Sequence, residues 1–385
     1  MHPRFGLALL GWLLPALAYA AVTPPLPPAP YALPTGAVSV STGAQLTAEL
    51  AKAAPHDIVL RDGTYTTSGF FVSACGHRLY AQNLGRAVLT SGISIGSDGC
   101  GEGAVVRGLT FAIADANKAV VSSQPVNPDE TSVIETWGRA RNVRLLDITI
   151  AGNHKVGAGI IARQPEGLQI RRVVARGFRS WGINVDADVF DLKVATPPVL
   201  EDLMLSDVSR PVPKSADGLA EACLWVGNTA LVSRVRVRDC AWMGVWTGTA
   251  AARAIFSDID IDDVANGIGL YVEHFTTDTT FQRMQIGPHL ALGVECEWAA
   301  PAWDYRPACD GVLFQDSIID TRCAGIYLDE GTRDTTARRI TFLNQGQGAF
   351  VTTGPTTNIL FDTSGNDYNR MRPGAQVHVV ANNPC

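Results

Sequence analysis

Three stretches of the chain end in acids at the same place. GIGLYVEH (267–274) ends in Glu273 and His274, GVECEW (293–298) carries Glu295 and Glu297, and GIYLDE (325–330) carries Asp329. Counted from Gly269, Gly293 and Gly325, the residues Glu273, Glu297 and Asp329 each lie four positions on. If the stretches lie side by side as strands about 4.8 Å apart, Glu273 and Glu297 are roughly 5 Å apart and Glu273 and Asp329 roughly 10 Å. Two carboxylates at about 5 Å repel by about 1 kcal/mol in water and about 3 kcal/mol at an effective dielectric of about 20. Such a row must keep a proton, hold a cation or meet arginines.

The first two options are chemistry. Glycoside hydrolysis sets a protonated acid against an ionised one, about 5 Å apart in retaining enzymes and about 6.5–9.5 Å in inverting ones. Glu297 or Glu273 is then the general acid and Asp329 the base that activates water. Glu295 adds a fourth carboxylate, and His274 is placed to orient one acid. A cation-bridged row points instead to a uronate lyase or epimerase. There Ca2+, held by oxygens of Glu273, Glu297 and Asp329, neutralises the substrate carboxylate, and His274, Tyr271 or Lys214 removes the proton. A third class, a non-catalytic glycan-binding surface protein, needs exposed aromatics but no acid row.

The elements that must position these residues repeat. NVRLLDITIAGNHKVGAGIIA, GLQIRRVVARGFRSWGINVDA, LVSRVRVRDCAWMGVWTG and AIFSDIDIDDVANGIGLYVE each read as a strand, a polar turn and a glycine-led second strand. A period of about 20–30 residues built from short strands means a stacked solenoid. Leading glycines Gly182, Gly244, Gly269, Gly293, Gly325 and Gly348 set a register. Positions one and three residues after each glycine are mostly apolar and face the core, so positions two and four face outward. Position two reads Asn184, Trp246, Tyr271, Glu295, Tyr327 and Phe350. Trp246, Tyr271 and Tyr327 are therefore expected as an exposed surface on which sugar rings stack. Trp298, Trp303, Tyr305 and Arg306, in the segment that leaves the strand after Glu297, are expected to wall the cleft. Insertions at 122–140, 187–198 and 209–221 are further loops on the rigid solenoid. Arg171, Arg172, Arg234, Arg236 and Arg238 lie on the other strand of the repeat and read as solvated β-surface.

VSVSTGAQLTAELAKAAPHDIVLRDGTY, residues 38–65, resembles the N-terminal cap and first coil of right-handed parallel β-helix proteins of the pectate lyase-like superfamily. The resemblance implies an all-β fold, a right-handed parallel β-helix solenoid with a short N-terminal capping helix at 43–54, over nearly all of 37–382. It implies no single activity, because the superfamily holds lyases, hydrolases, epimerases, esterases and adhesins. The full set of polygalacturonase motifs (paired Asp-Asp, Gly-His-Gly, Arg-x-Lys) is absent from the sequence.

The flanks place the domain. Residues 1–20 read as a signal peptide with an Ala18-Tyr19-Ala20 cleavage site, so the product is expected to be secreted or periplasmic. In that setting the eight cysteines are disulfide candidates, Cys75 with Cys100 among them. Residues 21–36, with Pro24, Pro25, Pro27, Pro28, Pro30 and Pro34, read as a polyproline-like spacer outside the core. Residues 37–385 then form one β-helix domain. The formal net charge of −6 argues against a nucleic-acid partner, and no apolar run suits a membrane span. A polysaccharide or oligosaccharide is the expected partner.

Overall fold

The computed structural model describes residues 22–121, 131–137, 140–163, 165–186, 194–208, 222–227, 229–248, 251–264, 267–273, 276–297, 309–362 and 364–380. The chain coils into a parallel β-helix. From Arg144 on, most coils give one long strand to one parallel sheet and one short strand to a second, and each strand pairs with its counterpart in the next coil. The first coils give the first sheet two strands of three or four residues each. The capping helix runs Gly43–Leu50, four residues shorter than the sequence suggests. Thr42 caps it by accepting a hydrogen bond from the Gln45 N–H at 3.2 Å, and Leu46 and Leu50 close the first coil with no exposure. Among the described residues no helix is long and apolar enough to cross a membrane.

Side chains alternate in and out along each strand. Inside, like residues stack on like: the rings of Phe256, Phe281 and Phe314 follow one another at 4.9 and 5.3 Å. The leading glycines have a steric cause. A Cβ on Gly182 would lie 2.5 Å from the Cys223 carbonyl oxygen, and one on Gly293 would lie 2.5 Å from that of Gly325. Neighbouring coils touch there, backbone against backbone, and a side chain would force them apart.

The register read from those glycines holds from Trp181–Asp186 to Ala324–Leu328, with Val245 opposite Leu270, Leu270 opposite Val294 and Val294 opposite Ile326. It fails at the last coil. Gly348 lies opposite Ala324, not Gly325, so Phe350 lies opposite Ile326. Phe350 is not an outward residue. It is fully buried and stacks on Phe361 at 3.7 Å, filling the end of the core.

The long sheet corrects two further expectations. Each of its central strands bends at one residue of positive φ, and the bends stack as an alternating row: Asp147, Arg172, Asp202, Arg234, Asp258, Arg283, Asp316 and Arg339. Arg172 and Arg234 are thus ion-pair partners rather than loose surface. Arg172 Nε donates to Asp147 at 2.5 Å and Arg234 Nε to Asp202 at 2.6 Å, and those carboxylates are 0% and 2% exposed. The proline-rich residues also lie against the solenoid instead of hanging from it. Pro25 is buried, and Tyr31 donates its hydroxyl to the Ala81 carbonyl at 2.8 Å.

Disulfides join Cys75 to Cys100, Cys223 to Cys240 and Cys296 to Cys309, and Cys323 is also disulfide-bonded. The pairing of Cys75 with Cys100 matches the sequence expectation.

Candidate functional site

The acids stand where the short strands end. The Glu273 N–H bonds to the Thr247 carbonyl, that of Glu297 to Val272 and that of Asp329 to Cys296, each at 3.0 Å. The three residues therefore occupy one slot in consecutive coils, about 4.8 Å per step. Two residues before Glu297 on the same strand face, Glu295 lies between Tyr271 and Tyr327 in the neighbouring column. The structure thus brings Glu273, Glu295, Glu297 and Asp329 onto one face. His274, Trp298, Trp303, Tyr305 and Arg306 lie outside the described residues. The Cys296–Cys309 disulfide ties together the two ends of the segment that holds the last four.

The acids are not equivalent. Burial, and then the charge of Asp329, push both Glu295 and Glu297 up to about 7. Among the described residues no Arg or Lys lies within ion-pair distance of either. Each is therefore poised to hold a proton near neutrality, where an ordinary glutamate has lost it. Asp329 accepts a hydrogen bond from the Thr353 hydroxyl at 2.6 Å. Burial pushes the Tyr327 phenol up to about 12, so it stays protonated, and it faces both Thr353 and Asp329. Glu273 accepts the indole N–H of Trp246 at 3.1 Å. One end of the row is thus fixed by an indole, the other by a hydroxyl.

Thr353 was hidden by the misread last coil. Its N–H bonds to the Leu328 carbonyl, so it holds the slot after Asp329 that the sequence assigns to Thr352. The aromatic residues also differ from expectation. Tyr271 and Tyr327 are each 7% exposed, so they do not present open faces. Trp181, Trp225, Trp246 and Tyr271 instead form a stack along the sheet, with ring centroids 5.9, 5.4 and 5.4 Å apart. For Trp225, Trp246 and Tyr271 the cause is the coil spacing itself, which sets side chains of one column at ring-contact distance, whereas Trp181, opposite Ala222, reaches the stack from three residues earlier on its strand. Trp246, half-buried within that stack, donates its indole N–H to Glu273.

No family model matches the chain, and no curated protein does. Solved structures do. The catalytic unit of a thermostable GH87 α-1,3-glucanase from Streptomyces thermodiastaticus strain HF3-3 superposes with a TM-score of 0.56 at 14% identity, covering 92% of this chain and 69% of that one. The catalytic domain of a GH87 α-1,3-glucanase in complex with nigerose gives 0.55 at 12% identity, over 89% and 71%. The Dettilon tailspike protein gives 0.51 at 10% identity, over 88% and 64%. At such identities the likeness is one of architecture: the chain has the right-handed parallel β-helix fold of pectate lyase-like proteins.

Proposed function

We propose that this protein is an exported carbohydrate-active enzyme that cleaves glycosidic bonds with its carboxylate row. One observation carries the reading: three stacked coils set Glu273, Glu297 and Asp329 in one slot with Glu295 beside them, where burial and the charge of Asp329 push Glu295 and Glu297 up to about 7. Glu297 is the general acid, Glu295 shares or backs that proton, and Asp329 is the second carboxylate, a nucleophile at the retaining separation and a base at the inverting one. Adjacent slots are about 5 Å apart and alternate slots about 10 Å, which brackets both the retaining and inverting separations. Thr353 and Trp246 keep the terminal acids of the row in place. The GH87 structures support a glycan as substrate class, since one of them is a complex with nigerose. The three disulfides whose pairs are described support an oxidising destination.

Calcium-assisted lysis of a uronate polymer is the second reading. The acid row offers oxygen donors of the kind Ca2+ takes, from Glu273, Glu297 and Asp329. Yet among the described residues the ligand atoms drawn within 4.8 Å of one another are those of Asp262, Asp263 and His289, away from the row.

The test is a panel of neutral and uronate glycans assayed for new reducing ends and for the ultraviolet absorbance of unsaturated products. Glu297→Gln is expected to lower turnover by about 100- to 10,000-fold while glycan binding persists. Turnover is expected to fall as pH rises through about 7, when Glu295 and Glu297 lose their protons. Unsaturated products abolished by EDTA would establish the second reading in its place.

A further inference from the structure

The proline-rich segment TPPLPPAP, residues 23–30, has three residues that are not proline: Thr23, Leu26 and Ala29. These are the three that possess a main-chain N–H. Each donates it to the solenoid. Ala29 donates to Asp147 Oδ1 at 3.0 Å, Leu26 to Asp202 Oδ1 at 2.9 Å and Thr23 to Asp258 Oδ1 at 3.2 Å. The acceptors are the aspartates of the bend row, one in every second coil. Two coils span about 9.6 Å. A polyproline II helix rises about 3.1 Å per residue with three residues per turn, so its repeat is about 9.3 Å. The two periods match within a few per cent, and the segment uses one turn per aspartate.

The rungs share one geometry. In each, the same Oδ1 also accepts the Nε–H of the arginine in the next coil: Arg172 for Asp147, Arg234 for Asp202 and Arg283 for Asp258. Burial follows the same period, with Val22, Pro25, Pro28, Tyr31 and Pro34 turned at least partly towards the solenoid. Tyr31 closes the series, its ring under the Arg107 guanidinium at 4.2 Å. Asp316 repeats the rung with Arg339, whose Nε donates to Oδ1 at 2.6 Å. Among the described residues no main-chain N–H reaches Asp316.

We infer that the aspartate row is a binding site for polyproline II peptides that offer a main-chain N–H at every third residue, and that residues 22–31 are its built-in ligand. The recognition code is X-Pro-Pro. The aspartates read the N–H of X, while the prolines hold the helix in shape before binding and so lower the entropy lost on docking. The arginines keep each acceptor ionised and fixed. A released segment from a second copy of this chain carries the same code and fits the same row.

The test uses the full chain carrying Leu26→Pro and Ala29→Pro, which removes two donors from its own segment. A dye-labelled synthetic peptide of residues 22–32 is added and its anisotropy followed. Saturable uptake by the double variant is expected, with uptake by the unaltered chain at least tenfold weaker because its site is filled. The peptide with Leu26→Ala should bind like the original. The peptide with Leu26→Pro should bind about tenfold or more weakly, the usual effect of losing a hydrogen bond to a charged group. No uptake by the double variant, or equal binding of the alanine and proline peptides, overturns the inference. Hydrogen exchange on the unaltered chain gives an independent check. The Leu26 and Ala29 amides should exchange at least tenfold more slowly than in the free peptide, and equal rates overturn it.

Discussion

Two rows of carboxylates run along this solenoid, one on each sheet, and they have opposite electrostatics. On the long sheet Asp147, Asp202 and Asp258 are buried, which by itself raises a carboxyl. The arginine of the next coil and a main-chain N–H outweigh that, and all three lie below the ordinary carboxylate range. On the short sheet Glu295 and Glu297 are half-buried with Asp329 as the charge they feel, and they rise to about 7. Coil spacing and strand geometry are common to both. What differs is the residue that each coil sets beside the acid. An alternating row of acids and arginines is scaffold, whereas successive acids form a proton store.

The sharpest way to break the comparison is to remove the charge that faces the two raised glutamates. Asp329→Asn is expected to lower kcat by about 100- to 10,000-fold. It should also move the alkaline limb of the pH–rate profile to lower pH, because Glu295 and Glu297 no longer face a like charge. Initial rates across the pH range check both. Next comes the scaffold row. Arg234→Ala leaves Asp202 buried without its cation and is expected to cost about 3–5 kcal/mol, read by urea unfolding, with a smaller loss for Arg172→Ala, because Asp147 keeps the Arg107 guanidinium at 2.8 Å.

The two rows also differ in how stability depends on pH. The aspartates have lowered values, so their contribution is present above the unfolded value of 3.8 and lost as pH falls through the folded one. Glu295 and Glu297 have raised values, so their contribution is full below 4.5 and lost as pH rises through about 7. Glu295→Gln should therefore stabilise the fold in mildly alkaline buffer by about 1 kcal/mol relative to its effect in acid. Thermal unfolding at the two pH values measures it. The smallest effect is expected for Trp246→Phe. It keeps a ring in the stack but removes the donor to Glu273, and should lower kcat/KM about fivefold with unfolding unchanged.

Much of the fold was legible because the solenoid repeats its constraints. Gly182, Gly244, Gly269, Gly293 and Gly325 mark the close approach of neighbouring coils, and counting from them puts Glu273, Glu297 and Asp329 in one slot. The count failed at GAFVT, residues 348–352, where every side chain is small, apolar or Thr. Period-two alternation then cannot choose a face, and Thr353 was missed with it. The Asp–Arg row was not legible because its partners are 25 and 32 residues apart, as for Asp147 with Arg172 and Asp202 with Arg234. Nothing local marks them as a pair. The proline-rich segment read as a spacer because polyproline II makes no internal hydrogen bonds. Its spacing of non-prolines becomes meaningful only beside a row of matching period.

The slot that holds Glu273, Glu297 and Asp329 has a last consequence. In most folds the gap between two catalytic groups can drift by fractions of an ångström. Here it changes only in whole steps of about 4.8 Å, since each acid belongs to a different winding. Loss of one winding, such as 274–297, would remove Glu295 and Glu297 and bring Glu273 and Asp329 into adjacent slots in a single event, whereas a duplicated winding would set them one step further apart. The spacing of carboxylates along this face is thus set by the count of windings between them, so gain or loss of a winding changes it by a whole step.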